Sequence, residues 1–448
     1  MTHIKTGNGI SRRDFLKTAA TSAAAVVVAP DILPRSAASR PAAPSDTMLL
    51  GCIGVGRQGQ ADMQELIYRG VEAGARVVAV CDIDSHRLDN AQWLAEKIYA
   101  KELGPSASKG VAAYHDFRDL LARKDVDGVL IVSPDFWHAV IAVAAAKTGK
   151  DIYLEKPMTS TIAEGRSLVA AVRQNKRILQ VGSQQRSSVH FLMACEIVRN
   201  GRIGRLQTIR VRLPEDQGFG NAQPTPVPPN LDYDFWLGPT PPAPYFEDRV
   251  HPQLSYDRPG WMQVEPYCRG MVANWGSHMV DIAQWGNATD GTGPVSIEAT
   301  AEFPDRGAFN VHTKFHAEAT YANGVHMTLE TGDPAGVRFE GDRGWVFVQR
   351  GEIKASDPEI LRWKPGQGEV KLYRSGDHMK DFLECMRRRK DPAAPVEVGH
   401  RSNSVCVMAH IAMKVGRKLT WDPAAEKFVG DEAANGLLDY PHREPWTV

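Results

Sequence analysis

Three glycines stand at a spacing that suits a phosphate-binding turn. Gly54, Gly56 and Gly59 follow an apolar run that starts at Met48, and a helical pattern starts at Ala61. In such a turn the first glycine makes the bend, the second lets the backbone approach a pyrophosphate, and the third lets the helix pack on the strand. The anion accepts hydrogen bonds from free N–H groups at the helix N-terminus. The sequence therefore predicts a strand, a turn and a helix around a dinucleotide site.

An acidic residue at the end of the next strand pattern supports this interpretation. Residues 75–82 have the pattern of a second buried strand, which ends in Asp82. A carboxylate there accepts a hydrogen bond from a ribose 2′-hydroxyl and repels a 2′-phosphate, which favours NAD. Arg57 and Arg87 soften that preference, so NADP stays an alternative. Arg57 and Gln58 lie between the glycines and belong to the same predicted cofactor site.

A lysine after the fourth strand pattern is the next candidate. Glu155, Lys156 and Pro157 end the strand predicted over 151–155. Oxidation of a carbinol needs removal of the hydroxyl proton and stabilisation of the developing alkoxide, and a lysine at this edge can hydrogen-bond that oxygen. We therefore predict that Lys156 is catalytic and that Glu155 lies beside the cofactor. The alternative is a surface lysine at a strand end.

A histidine in the second half of the chain has the chemistry of a general base. On a helix, His278 shares a face with Asn274, four residues before it, and with Asp281, three residues after it. A histidine close to a carboxylate suits proton transfer near neutral pH. The alternative is a histidine satisfied within the core, with Asp281 as a helix cap.

The elements that position these residues alternate between strand and helix. Helical spacing covers 85–103 and 116–122, a third strand pattern covers 126–133, and an alanine-rich helix is predicted over 139–148. Alternation of this kind predicts a doubly wound parallel sheet, whose ligands bind beyond the carboxyl ends of the strands. The loop after the third strand lies at that edge, and its cofactor candidates are Ser133, Pro134 and His138.

The pattern changes after about residue 180. A strand over 206–213 precedes a proline-rich connection over 214–244, whose length indicates a functional or interface loop. Strand patterns at 310–321 and 325–331 predict a hairpin. We predict an α/β fold, with an N-terminal Rossmann doubly wound parallel sheet and a C-terminal α/β domain built on a large, mostly antiparallel open sheet. The predicted divisions are a signal peptide and linker over 1–43, the NAD(P)-binding Rossmann domain over 44–180, and a substrate and oligomerisation domain over 181–448.

Charge and cysteine content limit the partners. Lysine plus arginine equals aspartate plus glutamate, 53 against 53, so no net field attracts nucleic acid or an anionic membrane. A twin-arginine pattern over 11–17 and the weakly apolar run after it predict a twin-arginine signal, with export to the periplasm or beyond. We expect no stable membrane anchor after signal removal. The six cysteines lack metal spacing, so neither a disulfide framework nor a metal site is expected.

The motifs together resemble the Gfo/Idh/MocA oxidoreductases, a family that includes glucose-fructose oxidoreductase and inositol dehydrogenases. The glycine motif, Asp82, the Ser133 loop, the Lys156 motif and Gly276-x-His278-x-x-Asp281 occur in the family's order. The resemblance spans essentially the whole chain after the signal. It implies a Rossmann domain, a C-terminal domain with an open sheet, a bound nicotinamide dinucleotide, and a sugar or cyclitol substrate. It also implies that Lys156 is the active-site lysine and His278 the proton-transferring histidine.

One position departs from the family's pattern. Many members carry an aspartate four residues before the histidine, where this chain has Asn274. Asparagine can neither take a proton nor raise the basicity of the histidine by its charge. Polyols require directed hydrogen bonds and an aromatic face, so polar and aromatic residues near these motifs are expected to bind the substrate. The predicted substrate-binding residues are Gln185, Arg186, Tyr267, Arg269, Asn274, Trp275, His278 and Asp281.

Three functions stay open at this point. The first is NAD(P)-dependent oxidation of a carbohydrate or cyclitol hydroxyl, with Lys156 and His278 handling the proton. An exported protein meets little free nicotinamide, so the second is a redox-neutral cycle in which transient oxidation allows loss of a glycosidic leaving group. The third is an inactive carbohydrate-binding protein, supported mainly by Asn274. In each case the partner is a small carbohydrate, and we expect a homo-oligomer, a dimer or a tetramer.

Overall fold

The computed structural model describes residues 46–107 and 109–448, so the predicted signal sequence lies outside the described residues. Two sheets organise this part of the chain. All six cysteines lie within it, and each is buried and free. No helix in the described ranges is both long and apolar enough to cross a bilayer.

The first sheet has six parallel strands in the order β3-β2-β1-β4-β5-β6. This order is that of a doubly wound dinucleotide-binding fold, and it confirms the predicted Rossmann sheet. Its strands are β1 (Met48–Ile53), β2 (Ala75–Cys81), β3 (Ala112–Tyr114), β4 (Gly128–Ile131), β5 (Asp151–Leu154) and β6 (Leu179–Val181). The helices between them are α1 (Arg57–Ala73), α2 (Ser85–Leu103), α3 (Phe117–Leu121), α4 (Asp135–Lys147) and α5 (Ile162–Gln174).

Local sequence explains where these helices begin and end. The side chain of Asp84 accepts hydrogen bonds from the first backbone N–H groups of α2, and Thr161 forms a capping box with Glu164 at the start of α5. Helix α1 ends at Gly74, which adopts a left-handed conformation. Helix α4 starts at Asp135 rather than at residue 139 as predicted, because the acidic side chain in its first turn suits the positive end of the helix dipole.

The second sheet has nine strands in the order β13-β12-β11-β7-β10-β9-β8-β14-β15. Only the β7–β10 pair is parallel, which confirms the mostly antiparallel sheet. The strands are β7 (Leu206–Leu213), β8 (Pro294–Glu302), β9 (Lys314–Tyr321), β10 (His326–Thr331), β11 (Gly336–Gly341), β12 (Trp345–Gln349), β13 (Glu352–Ala355), β14 (Leu419–Asp422) and β15 (Lys427–Phe428). The helices of this half are α6 (Val189–Arg199), α7 (Tyr233–Leu237), α8 (Met271–Asn274), α9 (Gly276–Gly286), α10 (Pro358–Arg362), α11 (His378–Arg388), α12 (Val396–Val415) and α13 (Glu432–Asn435).

The two faces of the second sheet differ in character. Alternate residues of β7, including Ile209 and Val211, are fully buried in one core with residues of α6, α9 and α12. The residues between them form ion pairs on the other face, such as Arg210 with Glu340 and Arg212 with Glu330. One face is therefore covered by helices and the other is charged and open.

Two segments from the second half of the chain return to the first sheet. Phe382 and Leu383 of α11 lie in the same core cluster as Met63 and Leu66 of α1, although α11 is outside the predicted 44–180 division. The long connection also returns, because residues 231–250 contribute aromatic and aliphatic side chains to the core beneath α4. The two halves are thus held together by shared cores, and the cleft between them has fixed walls.

Candidate active site

A cleft of about 860 Å³ lies beyond the carboxyl ends of the parallel strands, where a doubly wound sheet binds its ligands. The second half of the chain closes it from the opposite side, through residues of α9 and of the turn after β12. The structure brings most of the predicted site residues to this cleft. Those that line it are Gly54, Gly56, Arg57, Gln58, Gly59, Asp82, Ser133, Pro134, Glu155, Lys156, Gln185, Asn274, Trp275 and His278.

The glycine turn fits a dinucleotide pyrophosphate. Gly54 has a φ of +78°, and a Cβ at Gly59 would lie only 1.9 Å from the Gly54 carbonyl oxygen. A Cβ at Gly56 would meet one side-chain nitrogen, that of Arg87, at 3.4 Å and no backbone. Gly54 and Gly59 are thus glycine for the fold, and Gly56 leaves room for a ligand. The first helical bond runs from Gln60 N to the Gly56 carbonyl, which leaves N–H groups at the start of α1 for an anion.

Asp82 is held at the end of β2 by backbone donors. Its carboxylate accepts a hydrogen bond from Val55 N at 2.8 Å, which fixes it beside the glycine turn. Arg87 lines the cleft as well, but one nitrogen of its guanidinium is used to donate to the Pro252 and Ser255 carbonyls. Of the two arginines expected to soften the preference for NAD, only Arg57 lines the cleft without such bonds among the described residues.

Lys156 follows β5 and is half-buried in the cleft wall. Glu155 before it is buried, and its carboxylate accepts hydrogen bonds from Gln184 Nε2 at 2.7 Å and from Lys156 N at 3.1 Å. Burial raises the pKa of Glu155, although the charge of Lys156 opposes that change. The glutamate therefore fixes the backbone that presents the lysine, and Lys156 keeps its side chain for the cleft.

His278 is buried in α9, and its ring lies in the wall opposite the glycine turn. Its Nδ1 atom has no hydrogen-bond partner among residues 46–107 and 109–448. Burial lowers the pKa of His278 well below the usual range, and the charges of Lys156 and Arg350 lower it further. The imidazole is neutral at neutral pH, so it can accept a proton from a bound hydroxyl.

The two halves of the chain match the two domains of one family. Residues 48–183 match its NAD-binding Rossmann fold and residues 215–448 match its C-terminal alpha/beta domain. The chain belongs to the Gfo/Idh/MocA oxidoreductase family. The resemblance found in the sequence is thereby confirmed, as is NAD as the cofactor of the Rossmann domain. Residues 9–29 match a twin-arginine translocation signal, which indicates export through that pathway as predicted.

Curated relatives of the family differ in what their names say. A glycosyl hydrolase family 109 protein of Shewanella pealeana is 30% identical over 211 residues, which is 44% of each chain. An inositol 2-dehydrogenase of Salmonella typhimurium is 33% identical over 160 residues, which is 36% of this chain and 44% of that protein. The chain spans less than half the length of these curated relatives in the matched region.

Solved structures of family members share the fold. The WlbA dehydrogenase of Bordetella pertussis, in complex with NADH and UDP-GlcNAcA, is 18% identical with a TM-score of 0.59. A levoglucosan dehydrogenase in complex with NADH and levoglucosan is 16% identical with a TM-score of 0.60. Each match covers 84% of this chain and 99% of the other. The predicted two-domain α/β architecture agrees with these structures.

Arg186 and Asp281 do not line the cleft, although both were predicted to bind substrate. The Arg186 guanidinium donates to both Asp281 oxygens, at 2.7 and 2.9 Å, and to Asp290 at 2.7 Å. Ser402 also donates to Asp281. Although burial opposes its charge, these carboxylates raise the pKa of Arg186 overall. A buried bidentate ion pair leaves neither group free for a sugar, so Asp281 does not substitute for the missing acid at Asn274.

Three other predicted residues lie behind the cleft wall. The two ring nitrogens of His138 lie 2.7 Å from the Pro157 carbonyl oxygen and 2.9 Å from that of Ser133. Burial lowers the pKa of His138 to about 4, so the neutral ring donates to one of the two at a time. The ring therefore ties the loop after β4 to the lysine turn without lining the cleft. Tyr267 packs among Phe136 and Trp236, and Arg269 donates to the Ser160 carbonyl. Their side chains are used for packing and for backbone bonds, which is why they do not reach a ligand.

Several cleft residues were not predicted from the sequence. Asp135 lines the cleft from the first turn of α4, and Asp62 lines it from α1, four residues after Gln58. Arg350 enters from the hairpin turn between β12 and β13. Only Asp135 carried a local clue, because it follows Pro134 in a loop already assigned to the site. Asp62 closely follows the glycine motif, but helical spacing does not show that it faces the cleft. Arg350 has no motif around it, and only the tertiary fold brings it there.

Proposed function

We propose that this chain is an NAD-dependent oxidoreductase that transfers hydride between the bound cofactor and a carbohydrate or cyclitol hydroxyl. One observation carries the proposal: Lys156 and His278 line the same cleft as the glycine turn and Asp82. A lysine that stabilises an alkoxide and a neutral histidine that accepts a proton are the groups that carbinol oxidation requires. The names of family relatives, an inositol 2-dehydrogenase among them, support this substrate class.

In the proposed mechanism the two halves of the cleft have separate tasks. The glycine turn and Asp82 would hold the pyrophosphate and the adenosine ribose of NAD, which would supply the hydride acceptor for the carbinol carbon. Lys156 hydrogen-bonds the carbinol oxygen and stabilises its developing charge. His278 receives the hydroxyl proton. Asn274 lines the cleft but cannot share that proton, so His278 works without an acidic partner.

The Lys156→Ala variant tests this proposal. It should lose about 10²- to 10⁴-fold in rate, because one general acid–base group contributes that much. The assay follows nicotinamide absorbance on addition of sugars and cyclitols to the purified protein, and denaturation followed by mass spectrometry checks that the cofactor is retained. Lys147→Ala, at the exposed end of α4, is the matched control and should leave the rate unchanged. An unaltered rate in Lys156→Ala would contradict the catalytic role of Lys156. Sugar binding without any change of nicotinamide absorbance, in wild type and variant alike, would favour the inactive-binder hypothesis.

A second candidate function is favoured by the relatives named as glycosyl hydrolase family 109 proteins. In that reaction the sugar is oxidised to a ketone, and removal of the acidified ring proton expels the glycosidic substituent and leaves a double bond. Water then adds to the double bond, and the ketone is reduced again, which restores the oxidised cofactor. The same residues would serve both functions. The measurement that separates them is product per protein molecule without added cofactor. Turnover beyond one equivalent, with no net change in absorbance, supports the redox-neutral cycle.

The proposal also includes self-association of the protein through the open face of the second sheet. That face carries cross-strand ion pairs, such as His316 with Glu330 and Arg210 with Glu340. Isologous pairing of such a surface can match basic residues of one copy with acidic residues of the other. Light scattering after size-exclusion chromatography should give a dimer or a tetramer whose population falls at high salt. A monomer at all concentrations would contradict this part of the proposal.

A further inference from the structure

Arg350 is an unpaired cation at the edge of the reactive centre. It lies in the two-residue turn between β12 and β13, which Gly351 allows with its φ of +80°. Its guanidinium carbon lies 4.9 Å from the centroid of the Trp275 ring. Within residues 46–107 and 109–448 it forms no hydrogen bond or ion pair, and it is exposed at the mouth of the cleft that it lines.

The charges around Arg350 do not neutralise it. Lys156 adds a second cation to the cleft, and both charges act on His278. The nearest acid that acts on Arg350 is Glu155, but its oxygens already accept from Gln184 and from a backbone N–H. Burial also raises the pKa of Glu155, which disfavours its charged form. Asp62 and Asp135 also line the cleft and act on Lys156, but burial raises the pKa of each carboxyl and disfavours its charged form. The acids of the cleft therefore offset the two cations only in part.

A buried amide that lines the same cleft also lacks partners. Gln185 is 4% exposed, and neither its oxygen nor its nitrogen has a hydrogen-bond partner among the described residues. It lines the cleft. Because a buried amide without hydrogen bonds is costly, its donor and acceptor indicate a polar ligand. An amide can serve a hydroxyl group as donor or acceptor.

We propose that the substrate is a sugar acid, whose carboxylate is bound by Arg350 while Gln185 holds a neighbouring hydroxyl. The inference rests on the proposed function and narrows its substrate class. A planar guanidinium matches the two oxygens of a carboxylate and binds them with paired hydrogen bonds. A phosphate ester fits less well, because its second negative charge needs another cation beside Arg350 once Lys156 holds the reacting oxygen. The other arginines that line the cleft in the described residues, Arg57, Arg87 and Arg258, belong to the glycine-turn end. Arg350 is thus a specificity-determining residue.

The test compares sugar acids with neutral molecules of the same shape. Purified protein with its cofactor is given D-glucuronate, D-galacturonate and D-mannuronate, each beside its uronamide, and glucose 6-phosphate. Thermal stabilisation measures binding, and nicotinamide absorbance measures turnover. At least one acid should bind about 10- to 100-fold more tightly than its amide, which is the range for a hydrogen-bonded charge. Arg350→Gln should remove that difference and leave binding of the amide unchanged.

Arg338→Gln is the matched control. Arg338 of β11 also lies over a tryptophan ring, that of Trp345 at 4.0 Å, but it is outside the cleft. It should keep the preference for acids. Equal binding of acids and amides, tighter binding of glucose 6-phosphate, binding of none of the acids, or an unchanged preference in Arg350→Gln would each overturn the inference. Failure of the proposed function looks different. In that case acids stabilise the protein and Arg350→Gln abolishes the effect, but no substrate changes nicotinamide absorbance.

Discussion

The cofactor half and the substrate half of the cleft are built in different ways. The cofactor half consists of short stretches at the ends of adjacent parallel strands, such as 54–59, Asp82 and 133–134. The substrate half joins Lys156 to side chains from 184–185, from 274–278 and from a hairpin turn near residue 350. The geometry of the cofactor half depends on the order of the parallel strands alone. That of the substrate half depends on how two separate sheets are packed against each other.

Polar atoms are also treated differently in the two halves. Asp82 is satisfied by backbone donors before any ligand arrives. In the substrate half, His278 Nδ1 and the amide of Gln185 are buried and have no partner within the described ranges. Because proteins rarely leave such atoms unpaired, the comparison indicates that the cofactor half is prepared by the protein and that the substrate half is completed by its ligand.

The strongest test of the cofactor half substitutes two of its glycines. Gly56→Ala should fold normally, because its Cβ meets no backbone, but should lose the bound cofactor and the activity with it. Gly59→Ala should lose both fold stability and cofactor, because its Cβ would lie 1.9 Å from a carbonyl oxygen. Circular dichroism with heating measures the first property, and mass spectrometry of the released nucleotide the second. Gly291→Ala, with open space around it, is the control.

If Gly56→Ala retained as much cofactor as Gly291→Ala, the prediction that Gly56 makes room for the cofactor would be wrong. It would mean that the space above Gly56 is not used by the dinucleotide.

The substrate half should respond in the opposite way. His278→Gln should keep the cofactor and lose about 10²- to 10⁴-fold in rate, because a glutamine accepts no proton. His326→Gln, on the exposed face of β10, should change neither property. The measurement pairs steady-state kinetics with quantification of bound nucleotide. A variant of His278 that lost its cofactor would show that the two halves are not separable.

The lesson for sequence analysis follows from the same contrast. The Rossmann half was predictable because each of its ligand-binding residues follows an apolar strand, and parallel strands place their carboxyl ends at one edge. Lys156 and His278 were predictable from residue type, spacing and the family resemblance. Arg350 was not, because its pairing with Trp275 joins residues far apart in the chain. Asp281 was misplaced in the site, since helical spacing put it beside His278 but could not show that Arg186 binds it.

That buried ion pair provides a stability test with little expected effect on chemistry. Arg186→Met removes the cation between Asp281 and Asp290, and leaving a buried carboxylate unpaired costs about 3–5 kcal/mol. The double variant Arg186→Met with Asp281→Leu should recover part of that loss. Denaturant unfolding measures the free energy of unfolding. A small loss of stability combined with a large rise in KM would instead place Arg186 in the substrate site, against the geometry.

The smallest expected effect concerns Asp135, which lies in the cleft wall behind Lys156. Burial raises its pKa to about 7, although Cys268 and the charges of Lys156 and Arg269 oppose the change. The unfolded chain releases this proton near pH 4, so between about pH 4 and about pH 7 the folded state binds the extra proton and its stability falls as pH rises. Asp135→Asn has no such proton. Relative to wild type, the variant should therefore gain about 2 kcal/mol in free energy of unfolding between about pH 5 and about pH 7. The exposed Asp119→Asn variant is the control. If both variants gained the same free energy of unfolding over this pH range, the Asp135 carboxyl would be in contact with water. The open part of the cleft would then extend to the start of α4.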